Sequence, residues 1–160
     1  MSSRSNVLLY LVLAGVAGLA VIQFDRPRLD RPPVTAELQA PPEVKRVLEN
    51  SCYSCHSNQT KLPWFDQIAP AYWLVVHDVH EARQHLNFSE IGKLPPAQQK
   101  AALWEAVNMV QLGAMPLPRY LAVHPDARVS PRDLAVLRNY LHPEGDSARR
   151  AQGRGEDRGG

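Results

Sequence analysis

The sequence predicts an all-α chain: a small helical domain with long proline-rich loops, preceded by an apolar N-terminal helix. Three observations lead there. Apolar residues recur at helical spacing in four separate segments, and the valine-rich stretches fall inside that periodicity instead of the alternation of a strand. The loops between them are dense in proline, which removes the amide donors a sheet needs.

The N-terminus reads Arg4, an unbroken apolar run from Val7 to Ile22, then Gln23-Phe24 and the charged stretch Asp25 to Arg31. That is the pattern of an export signal or a transmembrane anchor. The run is short for a full span and reaches about 18 residues only if Gln23 and Phe24 sit at the interface. Gly18-Leu19-Ala20 offers a small-x-small cleavage sequence, but apolar Val21 and Ile22 follow it, where a processed signal turns polar. Residues 1–24 are therefore read as a signal anchor or signal peptide, with retention favoured. Residues 25–41 carry repeated prolines and read as a semi-rigid linker that lets the domain swing.

Residues 42–143 form the expected domain, with four helices. The first starts near Pro42 and places Val44, Val47 and Leu48 on one face. The second runs from about Pro70 to Leu86, with Trp73, Val76, His77 and His80 at i, i+3, i+4 and i+7 as its inward face. The third spans about Pro96 to Leu112, with Leu103, Val107 and Val110 as its stripe and Gly113 as its stop. The fourth opens on Ser130-Pro131-Arg132-Asp133, a capping-box pattern, continues through Leu134, Leu137 and Leu141, and ends at His142-Pro143. Residues 144–160 lack any aliphatic side chain larger than alanine and read as a disordered tail.

The chemistry concentrates in Cys52-Tyr53-Ser54-Cys55-His56. C-x-x-C-H is the attachment sequence of a c-type haem: two cysteines at this spacing reach the two vinyl groups on one porphyrin edge, and the adjacent histidine reaches the iron. No other cysteine exists in the chain, so a four-cysteine zinc or iron-sulfur site is excluded. A thioredoxin-like dithiol is the rival reading, but that motif follows a strand, and here a helical pattern leads into it. The cofactor expected is one haem c, held through Cys52 and Cys55 with His56 as proximal ligand. The fold is then a small cytochrome c-like helical domain. Because bacteria attach c-type haem outside the cytoplasmic membrane, the domain is expected to face the periplasm, anchored to the inner membrane. Between Pro32 and Pro143 ten Lys/Arg balance ten Asp/Glu, which gives nucleic acid no charge excess to meet.

For the sixth iron position the leading candidate is Met115, in the Pro-rich loop between the last two helices, braced by Pro116 and Pro118. Met109, inside the third helix, reads as packing. His77 and His80 share a helical face and are alternatives, either as imidazole ligands or, with Asp78 or Glu81, as a metal site. His124 before Pro125 is a further alternative, with a turn role as its bland reading. Trp64, Arg83, Asn87 and Lys61 are candidate contacts to the haem edge or its propionates, since buried carboxylates need donors.

Many short motifs in order give a more specific signal. They are Cys52 to His56 with Ser57-Asn58-Gln59-Thr60, Pro63-Trp64-Phe65, Trp73-Leu74, Arg83, Leu86-Asn87-Phe88-Ser89, Met115-Pro116, and Tyr120 through His124-Pro125-Asp126-Ala127. Over about residues 42–142 the chain resembles the bacterial haem-binding domain family of monohaem c-type cytochromes. The resemblance implies a periplasmic, often membrane-tethered domain with covalent haem and an electron-transfer role. One departure matters. The family's His-Val pair, followed after two residues by Gly-Arg, aligns with Asp78-Val79 and Ala82-Arg83, leaving His77 one place early. A one-residue shift turns a side chain by about 100° around a helix, which argues against His77 as ligand and for Met115.

The function expected is a membrane-associated monohaem cytochrome that exchanges single electrons with exported redox partner proteins. An electron carrier is favoured over an enzyme. The rivals are a small haem peroxidase, with His77 or His80 as acid/base group, and a sensor whose sixth ligand is displaced.

Overall fold

Local signals set the helix ends in the computed structural model, which describes residues 2–142. Seven α-helices occur among them: α1 Ser2–Ile22, α2 Pro42–Ser51, α3 Tyr53–His56, α4 Ala71–His85, α5 Pro96–Gln111, α6 Pro118–Leu121 and α7 Pro131–Leu141. Short 3-10 turns at Trp64–Gln67, Ile91–Lys93 and Pro125–Ala127 link them. No strand is present among the described residues, so the all-α class holds. The tail expected over 144–160 lies outside the described residues.

α2 begins with Pro42 in its first turn and buries Val44, Val47 and Leu48, the three residues its periodicity selects. At the start of α7, the Ser130 hydroxyl accepts the Asp133 amide proton at 3.1 Å and donates to the Asp133 carboxylate at 2.7 Å, which satisfies an orphan amide. α5 stops at Gly113, whose φ of +70° is open to glycine at no steric cost. That reversal returns the amides of Ala114 and Met115 to one acceptor, the Met109 carbonyl, at 3.0 and 3.1 Å.

α4 corrects the expected face. It buries Val76, Val79 and Ala82, while His77 and His80 are exposed. The wholly apolar triplet packs without stripping water from an imidazole. Trp73 turns its indole N–H to the Asp25 carbonyl at 2.6 Å.

The core joins α2, α5 and α7 through Val47, Leu48, Leu103, Val107, Leu137 and Leu141, with Phe88 fully buried at its centre. Leu38 enters the same core from the segment expected to be a semi-rigid linker. The Leu38 amide donates to the Phe88 carbonyl at 3.0 Å, the Ala36 amide to Ser89 at 3.1 Å, and the Gly92 amide to Ala36 at 2.9 Å. A Cβ at Gly92 would stand 2.9 Å from the Ala36 carbonyl oxygen, so only glycine lets this strip lie so close. The strip from Thr35 to Leu38 is thus laid down on the domain.

α1 carries exposed side chains at every position from Asn6 to Val21. The helix stops at Ile22, so Gln23 and Phe24 do not extend it, and among the described residues no helix is long and apolar enough to cross a membrane.

Candidate functional site

α2 delivers the chain to Cys52, whose amide closes the helix on Leu48 at 2.8 Å. α3 then coils tightly: the amides of Cys55 and His56 both return to the Cys52 carbonyl, at 3.2 and 2.9 Å. This turn brings Cys52, Cys55 and His56 onto the wall of one cavity of ≈ 550 Å³, within the range of small-molecule and cofactor sites. Leu48, Leu103, Val107, Leu137 and Leu141 make much of that wall apolar. Met115 and Met109 bring two thioethers to it. At the polar part of the lining stand His77, Asp78, Glu81 and His85 from α4, with Asp78 tied to Arg119 of α6 at 2.7 Å.

His56 has one defined tautomer. Its Nδ1 lies 3.0 Å from the Leu86 carbonyl oxygen, which can only accept, so Nδ1 carries the proton and Nε2 keeps its lone pair. Burial pushes the His56 pKa below the ordinary histidine value, against the opposing pull of the Leu86 and Ala82 carbonyls, and so favours the neutral, ligand-competent ring. Phe88 meets the ring edge-on at 6.4 Å, stacks on Tyr53 at 5.4 Å, and donates its amide to the His56 carbonyl at 2.8 Å.

Cys52 and Cys55 are both partly buried and are not joined to each other by a disulfide. Burial, reinforced by the neighbouring Cys55, raises Cys52 to about 12; burial, reinforced by Asp78 and Asp66, raises Cys55 to about 11. A dithiol oxidoreductase needs a thiolate of lowered pKa, and burial pushes both of these thiols the other way, which favours the haem reading over the thioredoxin-like one.

Several expected contacts lie elsewhere. Arg83 does not line the cavity: its guanidinium bonds the Ser57 carbonyl at 2.9 Å, the Thr60 hydroxyl at 3.0 Å and the Asp30 carbonyl at 2.7 Å. Asn87 is also absent from the wall; its amide donates to Asn58 Oδ1 at 2.8 Å and its oxygen accepts the Ser89 amide at 3.0 Å. Asn58 in turn donates to the Pro33 carbonyl at 3.1 Å, and the Ser89 hydroxyl accepts the Asn58 amide at 3.0 Å. The Ser57-Asn58-Gln59-Thr60 and Leu86-Asn87-Phe88-Ser89 stretches thus form a clamp that holds His56 in place. Trp64 is 73% exposed and packs edge-on to Phe65, and Lys61 is exposed; neither lines the cavity.

Among the alternative ligands, His77 lines the cavity and His80 does not. His124 is also off the wall: it stacks on Tyr120 at 3.9 Å, and its Nε2 lies 2.9 Å from Asp66 without the alignment of a hydrogen bond. Among the described residues no three His, Cys, Asp or Glu side chains form a metal cluster. Sequence reasoning missed His85, which stands two helical repeats from His77 and so shares its face, and it assigned Met109 to packing alone.

Two thiols, an imidazole of fixed tautomer and thioether sulfur on largely apolar walls fit haem, and the class of protein that this fold and site define is a helical haem-binding domain. The model of the family described as haem-binding domain matches residues 14–143, and the chain belongs to that family. No curated protein and no solved structure matches the chain.

Proposed function

We propose that this protein is a membrane-associated, exported monohaem c-type cytochrome that carries single electrons between redox partner proteins. The observation that carries the reading is the convergence of Cys52, Cys55, His56 with a free Nε2, and Met115 on one cavity. Cys52 and Cys55 would hold haem c through two thioethers, His56 would be the proximal ligand, and Met115 the sixth. When bound, the haem supplies a one-electron iron couple.

The chain's own residues define how that couple is set. The Leu86 carbonyl orients His56 and raises its basicity as a ligand. The apolar walls from α2, α5 and α7 keep the surroundings of low dielectric. Met115 offers a soft neutral sulfur, which favours ferrous iron over a second imidazole. A sixth position held by Met115 would also favour a carrier over a peroxidase, which needs an open position at the iron.

Membrane association is supported by α1, apolar along Val7–Ile22 and exposed throughout Asn6–Val21, a surface that water does not stabilise. Export is supported by the same segment and by where bacteria attach c-type haem. An exported domain would stand on the periplasmic side of the inner membrane.

Optical spectroscopy of the purified ferric protein tests the ligand set. Met115→Ala should abolish the weak far-red sulfur-to-iron absorption, lower the reduction potential and open the iron to added ligands, while His77→Ala and His80→Ala leave the band in place. A wild-type protein that lacks the band, and turns from low to high spin on loss of His77 alone, overturns Met115 as ligand and establishes a bis-histidine site.

A further inference from the structure

The end of α1 is fastened to the domain by specific bonds. Gln23 grips the backbone of Ala69 from both sides, accepting its amide proton at 2.9 Å and donating to its carbonyl at 3.2 Å. Two residues on, the Asp25 carbonyl accepts the Trp73 indole N–H at 2.6 Å, and the Arg26 guanidinium lies 4.3 Å over the Tyr72 ring. The stretch from Ile68 to Leu74 is therefore held against the C-terminal end of the apolar helix.

Large apolar side chains gather at that seam and face outward: Phe24 is 90% exposed, Leu74 49% and Ile68 45%. Each is adjacent in sequence to a residue that makes the fastening. The sixteen apolar residues from Val7 to Ile22 rise about 24 Å as a helix, some 6 Å short of a hydrocarbon layer of about 30 Å. A short apolar helix draws its flanking residues to the interface, where Trp and Tyr rings and arginines are at home. Trp73, Tyr72, Arg26, Arg28 and Arg31 supply those groups in the next few residues of chain and at the seam.

We propose that the face formed by Phe24, Ile68 and Leu74 is a second membrane contact, seated at the headgroup boundary of the bilayer that receives α1. The proposal rests on the reading of α1 as a membrane helix. It fixes the attitude of the domain, since α4 starts at this face and its first cavity-lining residue, His77, follows about one helical turn beyond Trp73.

The test uses full-length haem-loaded protein in mixed phosphatidylethanolamine and phosphatidylglycerol vesicles. With Cys52 and Cys55 consumed by thioether bonds, a single added cysteine takes a nitroxide label at one site. Ile68→Cys and Leu74→Cys are compared with Arg132→Cys, an exposed position on α7. The vesicles should float with the protein, and the ratio of oxygen to water-soluble nickel collisions should be several-fold higher at 68 and 74 than at 132. If the protein floats but the three sites share one ratio, the second contact is wrong and the anchor stands. If the protein does not float, the anchor reading fails and takes the second contact with it.

Discussion

The bond between Asn58 and Asn87 decides whether Asn87 is a haem contact or part of the clamp that positions His56. Asn87→Ala removes two hydrogen bonds, to Asn58 Oδ1 at 2.8 Å and from the Ser89 amide at 3.0 Å. Each contributes about 1 kcal/mol, and the oxygen left without that partner on Asn58, a residue only 3% exposed, adds about 1 kcal/mol more. The expected loss of about 2–3 kcal/mol lowers Tm by about 10–20 °C in a domain of ~100 residues. Asn58→Ala breaks the same bond and the 3.1 Å bond to Pro33, at similar cost. The double variant loses the shared bond only once, so the cycle should return a coupling of about 1 kcal/mol. Urea denaturation of the four haem-loaded proteins measures it. A coupling within about 0.3 kcal/mol of zero refutes the clamp. So does an Asn87→Ala protein of full stability whose haem absorption has shifted.

Three further outcomes are expected. Acid-acetone extraction of denatured protein from a maturation-competent host should leave the haem on the polypeptide, and Cys52→Ser with Cys55→Ser should release it into the solvent. Ser130→Ala should cost about 1 kcal/mol of stability in thermal unfolding, because the Asp133 amide loses its acceptor. The Ser130 hydroxyl, and then Arg46 at 2.6 Å, hold the Asp133 carboxyl below its ordinary pKa, so its contribution is complete above the unfolded value near ~4 and is lost as pH falls through the lower folded value. Asp133→Asn should therefore flatten the stability curve in that acid window, as acid titration of the folded fraction would show.

What the sequence revealed was chemistry written in contiguous residues. The haem motif needs five neighbours, the α7 cap needs Ser130 and Asp133 three apart, and the α5 stop needs only Gly113. Each of these was legible because its physics is local. The face of α4 was not, since Trp73 and two imidazoles match the spacing of a buried stripe and only the packed structure shows Val76, Val79 and Ala82 taking it. Arg83 and Asn87 were recognisable as donors, but their acceptors lie 23 to 53 residues away, at Ser57, Asn58, Thr60 and Asp30. Prolines marked 25–41 as extended without revealing that Thr35, Ala36 and Leu38 find partners at Phe88 and Ser89.

The reversal at Gly113 ties Met115 backward. Its amide shares the Met109 carbonyl with Ala114, so the Met115 backbone takes its position from the last turns of α5. The stretch that follows is held by contacts of its own, with Arg119 on Asp78, His124 stacked on Tyr120 and Ala127 buried, so the thioether stands between two segments that are each fastened to the domain. The consequence is positional: the proposed sixth ligand would be referenced to a helix already built into the core, and the fit of the cavity at that point would follow α5.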